Sequence, residues 1–255
     1  MMRAVLTSCL AITLLASCKG AQDESAQLSD PSEPAGPSAP AKIGLHTSLP
    51  IVWRESGDIA DLLESESAPH WVLSTLRRRG EVVPFDTLAG ERGLRALPIN
   101  SLLVLAQPRA LSPDDNVALD DWVREGGHVL LFADPMLTQH SAFSLGDPRR
   151  PQDVALLSPI LERWGLELMF EEEQAGGPQL VNWKGGSVPT NLRGSWKSAG
   201  TSCTLEGDAL IGRCKVGKGW VLAIADAALL EESPRLADSI AQKALESLLD
   251  AAGAR

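Results

Sequence analysis

The sequence predicts a three-layer α/β domain built on a parallel sheet. Three observations point there. Strand-like and helix-like segments alternate from residue 42 onward, the pattern of βαβ units. Three strand-like runs, 101–106 (SLLVLA), 128–133 (HVLLFA) and 220–225 (WVLAIA), are apolar almost throughout, as strands covered on both faces are. The helix-like segments between them carry start and stop signals.

Taken in order, residues 42–46 (KIGLH) read as a first short strand. Residues 71–79 read as a helix, with Val72, Leu73 and Leu76 on one face, Arg77, Arg78 and Arg79 at the negative end and Gly80 as the stop. Residues 81–86 (EVVPFD) are a second strand, and Pro84 marks it as an edge. After 101–106 comes the best-signalled helix. Ser112 is its N-cap, Pro113 its first residue, Asp114 and Asp115 suit its positive end, and Gly126-Gly127 closes it. Leu119, Trp122 and Val123 form its buried stripe.

Strand 128–133 follows. Residues 153–164 are expected to be helical with an interruption at Ser158-Pro159, and Gly165 ends the segment. Residues 166–170 are a strand. Residues 175–219 are rich in Gly, Ser and Pro with short alternating stretches, and are expected to form a β-rich insertion. After 220–225, a last helix starts at Ser233-Pro234, with Ala237, Ile240, Ala244, Leu245 and Leu248 inward. Connections between parallel strands are right-handed by rule, so the expected fold is a flavodoxin-like or amidotransferase-like sheet.

The N-terminus precedes this domain and sets the compartment. Arg3 is a positive n-region, and residues 4–16 are an apolar run shorter than the roughly 20 residues needed to span a bilayer. That is a secretory signal peptide. It ends in Leu15-Ala16-Ser17-Cys18, which resembles the bacterial lipobox, in which the Cys becomes the lipidated first residue. The expected organisation is a signal peptide over 1–17, a lipidated Cys18 with a tether over 18–41, and a single α/β domain over 42–255. In the tether Pro31, Pro34, Pro37 and Pro40 recur and Leu28 is the only large apolar residue, so there is too little to bury for folding. By resemblance to enterobacterial lipoproteins, Lys19 permits export to the outer membrane; which membrane holds the chain stays open. The expected location is the bacterial envelope, lipid-anchored and facing the periplasm.

Of the four Cys, Cys9 leaves with the signal and Cys18 takes the lipid. Cys203 and Cys214 remain, on opposite sides of a turn at Glu206-Gly207-Asp208, and an exported pair is expected to form a disulfide. A zinc site needs further ligands, and no His lies close in sequence. The chain has 33 acidic against 23 basic residues, a formal charge of -10. That balance argues against nucleic-acid partners, which need clustered Lys and Arg, and against adhesion to anionic lipid through charge. There is no Tyr, which removes tyrosine nucleophiles.

In doubly wound sheets ligands bind beyond the carboxyl ends of the strands. The residues falling there are His46 and Ser48, Gln107 and Arg109, Asp134, Asp226, and His140 in the long loop 136–152. These seven are the candidate ligand-binding residues. Arg109 offers a planar fork suited to carboxylate or phosphate. Ser48 and Ser141 lack the G-x-S-x-G elbow of a serine hydrolase. Gly217-Lys218-Gly219 precedes a strand rather than a helix and is a turn, not a phosphate loop. G-x-G-x-x-G, H-E-x-x-H and metal-spaced His pairs do not occur, so no cofactor and no metal is expected.

Residues 110–135 (ALSPDDNVALDDWVREGGHVLLFADP), with 157–168 (LSPILERWGLEL) and 217–226 (GKGWVLAIAD), resemble the GldG-like, ABC-transporter-associated domains of class I amidotransferase-like fold. The resemblance covers most of residues 42–249. It implies a periplasmic domain beside the permease and ATPase of an ABC transporter, with no assigned activity. Members of that family usually carry transmembrane helices, whereas here a lipid replaces them. The thiol of true amidotransferases is missing, since Gln107 and Asp134 follow the central strands. Two readings result. The first is a non-catalytic envelope lipoprotein, auxiliary or ligand-binding, associated with ABC-type transport. The alternative is a periplasmic hydrolase or carbohydrate-active enzyme using Asp134, His140 and Asp147 in the strand-end cleft. A structural envelope protein without a ligand is a third.

The anchor is directly testable. Cys18→Ser is expected to abolish lipid labelling and to release the protein from membranes; unchanged membrane association would remove the anchor assignment.

Overall fold

The computed structural model describes residues 41–55, 68–231 and 238–253. The signal peptide, Cys18, the tether and the start of the last helix at Ser233-Pro234 lie outside them. Eleven strands are described: β1 (Lys42–Thr47), β2 (Glu81–Pro84), β3 (Leu102–Ala106), β4 (His128–Phe132), β5 (Leu166–Phe170), β6 (Gln179–Trp183), β7 (Gly186–Thr190), β8 (Gly194–Ser198), β9 (Cys203–Glu206), β10 (Ile211–Val216) and β11 (Gly219–Ile224). The helices are α1 (Trp71–Arg79), α2 (Pro113–Glu125), α3 (Ser158–Trp164) and α4 (Asp238–Gly253). Among the described residues no helix is long and apolar enough to cross a membrane.

The central sheet has seven strands in the order β2-β1-β3-β4-β11-β10-β9. The first five run parallel, and β10 and β9 extend the sheet antiparallel. The fold is therefore mixed α/β with a mostly parallel sheet. The middle strands are as apolar as expected because helices cover them. All five residues of β4 are buried, and Leu103, Leu105, Leu130, Leu131 and Phe132 are at most 1% exposed. Each such side chain contributes about 1.5–3 kcal/mol by leaving water.

The helices pair off. α1 contacts α4, with Arg78 on Glu246 and Arg79 on Asp250. α2 contacts α3 through Asp120, a buried carboxylate that the sequence pattern does not reveal. Burial alone would raise its pKa, but Arg124 at 2.7 Å, Arg163 and the Trp164 indole at 3.1 Å hold it below the ordinary carboxylate value. Right-handed crossovers place the helix after β1 and the helix after β3 on opposite faces, since the chain moves in opposite directions along the sheet.

Local signals at α2 are all realised. Ser112 Oγ accepts from the Asp115 N–H at 3.1 Å, Pro113 sits in the first turn, and Gly126 caps the end at φ 129°. β2 is the edge strand that Pro84 implies.

Three expectations are corrected. The helix expected over 153–164 is only Ser158–Trp164. Proline fits a first helical turn but not an interior, and the residues before it are bonded elsewhere, Ala155 N–H donating to the Asp134 carbonyl at 2.8 Å. The sheet is not wholly parallel: of residues 175–219, β9 and β10 join the main sheet, while β6 pairs with β7 and β8 with β5 in two small antiparallel sheets. On α4, Ile240 is 38% exposed, and Ala241 and Leu249 turn inward with Ala244, Leu245 and Leu248.

Cys203 and Cys214 form a disulfide between residues directly opposite in the β9–β10 pair. Closing a loop of this length stabilises by about 3 kcal/mol through the unfolded chain. Reduction, or a Cys203→Ala/Cys214→Ala variant, is expected to lower the urea midpoint accordingly. An unchanged midpoint would mean that the bond adds nothing to the packing already in place.

Candidate functional site

Beyond the carboxyl ends of β1, β3, β4 and β11, four of the expected residues form one buried network. Gln107, fully buried, follows β3 with φ 44°. Its Nε2 donates to the carbonyls of Asp134 at 3.0 Å and Gln152 at 2.8 Å, and its Oε1 accepts from the Asp134 N–H at 2.7 Å. Ser48 donates to the Gln107 carbonyl and accepts from the Gln152 N–H at 2.9 Å. Asp134, at the end of β4, accepts from Met136 N–H at 2.8 Å and Ala227 N–H at 3.0 Å. Asp226, at the end of β11, accepts from Ala228 N–H at 2.7 Å and Asn191 N–H at 3.0 Å.

The two carboxyl groups are close enough to affect each other. Burial pushes Asp134 up to about 6, against the pull of its two backbone N–H partners, with the charge of Glu231 adding to the rise. Asp226 is pushed well above the ordinary value by burial first and by Asp134 second. Two negative charges in so dry a place repel, so protons are retained. Among the described residues no group of three His, Cys, Asp or Glu side chains is arranged to hold a metal ion. The oxygens of Asp134 and Asp226 face backbone N–H groups instead.

The other expected residues lie apart. His46 Nδ1 donates to the Phe85 carbonyl at 2.8 Å. Arg109 donates to the carbonyls of Pro148 and Arg150, so its fork braces the 136–152 loop instead of facing an anion. Asp147 pairs with its neighbour Arg149 at 2.8 Å. The polar atoms of Ser48 and Gln107 likewise serve the chain. Of the seven, only His140 lines the open cleft.

That cleft has a volume of about 670 Å³ and lies between the segment after β1, the start of α1 and the loops after β4 and β11. The side chains that matter in it are Trp53, Arg54, Glu55, Arg77, His140 and Glu231. Trp53 is 37% exposed, with Phe143 beside it at 6.1 Å between ring centroids. Glu55 accepts from the Ser141 hydroxyl and the Ala142 N–H, both at 2.9 Å. Glu231 accepts from the Thr138 hydroxyl at 2.8 Å, and burial raises its pKa against that bond.

Sequence reasoning places the cleft at the correct end of the sheet but names few of its walls. Trp53, Arg54 and Glu55 follow β1 without any motif, and Glu231 comes five positions after Asp226, past a 3-10 turn at Ala228–Leu230. An exposed Trp beside two charged residues after a strand was the one available signal.

No protein-family model and no curated protein matches the sequence. Among solved structures, the chain is similar to the exo-β-1,4-mannosidase Op5Man5 of an Opitutaceae bacterium, at 13% identity and a TM-score of 0.44, over 85% of this chain and 35% of that one. It is similar to a β-galactosidase of Bacillus circulans sp. alkalophilus at 13% identity and TM-score 0.44, over 84% and 31%. A third is the Salmonella typhimurium cytoplasmic protein STM3548, at 10% identity and TM-score 0.43, over 82% and 98%. The chain spans about a third of the length of the two glycosidases. The GldG-like resemblance is thereby corrected: no family model carries it, and these neighbours are of other kinds. The association with an ABC transporter rested on that resemblance and falls with it.

The buried carboxyls give a pH signature. A carboxyl whose pKa is raised on folding adds stability below its unfolded pKa, near 4, and that stability is lost as pH rises through the folded value, about 6 for Asp134. The loss is on the order of 3 kcal/mol. Relative to wild type, Asp134→Asn is expected to gain about that much between pH 4 and 7.5 in urea unfolding. Parallel pH profiles for the two proteins would rule out a buried, proton-retaining Asp134.

Proposed function

We propose that the strand-end cleft is a carbohydrate site, with Glu231 as its proton donor. The observation that carries the reading is the composition of one wall-to-wall cleft: an exposed indole, donors and acceptors of both charges, and a half-buried carboxyl held toward its protonated form. A sugar presents just two kinds of surface, C–H faces that pack on an aromatic ring and hydroxyls that need both donors and acceptors. The volume is in the range of small-ligand sites. A carboxyl raised by burial suits protonation of a leaving oxygen, the general-acid half of glycoside hydrolysis.

A second reading is recognition without turnover. It is favoured by Glu55, whose two oxygens are already engaged by Ser141 and Ala142, leaving no free second carboxylate for the other half of the reaction. The envelope location expected from the lipobox agrees with either, since saccharides are abundant there. The parallel part of the sheet, ordered β2-β1-β3-β4-β11, supports a flavodoxin-like reading of the fold, in which ligands bind at this end.

Binding of a saccharide panel followed by calorimetry, with turnover of nitrophenyl glycosides alongside, tests both. Trp53→Ala is expected to weaken saccharide binding at least tenfold. Glu231→Gln is expected to leave binding in place and to lower turnover by about 10²-fold or more. Binding with no turnover in wild type selects recognition alone, and no binding to any member of the panel removes the carbohydrate reading.

A further inference from the structure

Three consecutive arginines end α1, and two of them are accounted for. Arg78 pairs with Glu246 at 3.3 Å and Arg79 with Asp250 at 2.5 Å, both on α4. Successive side chains on a helix are turned by about 100°, so Arg77 points elsewhere. It lines the cleft, and among the described residues it makes no ion pair and no hydrogen bond through its side chain. Favourable placement at a helix C-terminus is already supplied by its two neighbours.

Arg54 lines the same cleft. One of its terminal nitrogens donates to the Ala68 carbonyl at 3.1 Å; its remaining N–H groups have no partner among the described residues. The nearby acids do not answer these charges. Glu55 is engaged by Ser141 and Ala142, and Glu231 by Thr138. In a chain of net charge -10, two guanidinium groups facing one cleft without a counter-ion run against the overall balance, and the general field repels anions rather than gathering them. Any attraction of an anion here is local to these side chains.

We infer that the ligand of this cleft carries a carboxylate or phosphate group, bound by Arg77 with Arg54. The inference rests on the carbohydrate reading above, and together they specify an acidic saccharide: a uronic acid or a sugar phosphate. A guanidinium offers a planar fork that matches either group with two parallel hydrogen bonds. Trp53 supplies the packing surface for the ring, so charge and stacking are contributed by different residues and separate by mutation.

Calorimetric titration of the full chain tests this with glucuronate and galacturonate, glucose 6-phosphate, and neutral glucose and galactose. The acidic probes are expected to bind at least tenfold more tightly than their neutral counterparts, and Arg77→Gln to bring them down to the neutral level. A preference between uronate and phosphate names the source of the charge. Raising the salt concentration is expected to weaken the acidic probes only. Circular dichroism of Arg77→Gln checks that the exposed substitution leaves the fold unchanged. Equal affinity for charged and neutral sugars, untouched by Arg77→Gln, overturns the anionic ligand and leaves the saccharide site standing. Tight binding of the acidic probes that survives Trp53→Ala overturns the saccharide reading and leaves the anion site. No binding by any probe overturns both.

Discussion

Two carboxyl groups placed where water does not reach hold the carboxyl end of this sheet together. A carboxyl buried without partners is costly, and here each finds two backbone N–H donors from loops. Asp134 ties its own loop to the segment after β11, and Asp226 ties that segment to Asn191 beyond β7. Gln107 joins the loop after β3 to the same centre. Loops that would otherwise be independent are thus fixed by one polar knot. Its rigidity sets the position of Thr138, and with it Glu231, at the back of the open cleft.

The division of labour between knot and cleft explains how the sequence reads. Strand and helix positions were legible because they depend on local chemistry: apolar runs for β3, β4 and β11, the Ser112-Pro113 start and Gly126 stop of α2, Pro84 at an edge. The polar residues after the strands were legible as a set, since topology brings them together. Which of them face solvent was not legible, because Asp134 and Asp226 look in sequence like any loop acid. Whether such a residue is a ligand group or a brace depends on backbone N–H groups dozens of positions away, and those are fixed only by the fold. Ile240 shows the same limit on a smaller scale: helical periodicity leaves a one-position ambiguity in the inner face, and only the packing of α4 resolves it.

Asp120 and Asp134 make an instructive pair. Both are buried acids. Asp120 sits among two guanidinium groups and an indole and is held charged; Asp134 has neutral amides and another acid for company and retains its proton to a higher pH. Acidification therefore acts on the two in opposite directions, loosening the α2–α3 contact while relieving the strand-end knot. The net charge of the chain says nothing about either, since it counts only how many acids there are.

The last strand of the sheet adds a consequence of its own. β9 is short, stands at the open edge and has Leu205 turned 37% to solvent. Such an edge invites pairing with a strand from another molecule. The covalent bond from Cys203 to Cys214 keeps β9 seated on β10, so it cannot peel off and trade places with its counterpart in a second copy. At the opposite edge Pro84 withholds a donor from any incoming strand. The sheet is thereby closed to strand exchange at both margins, one by a bond and the other by a missing hydrogen, and crowding of many copies on one surface need not lead to fibrous association.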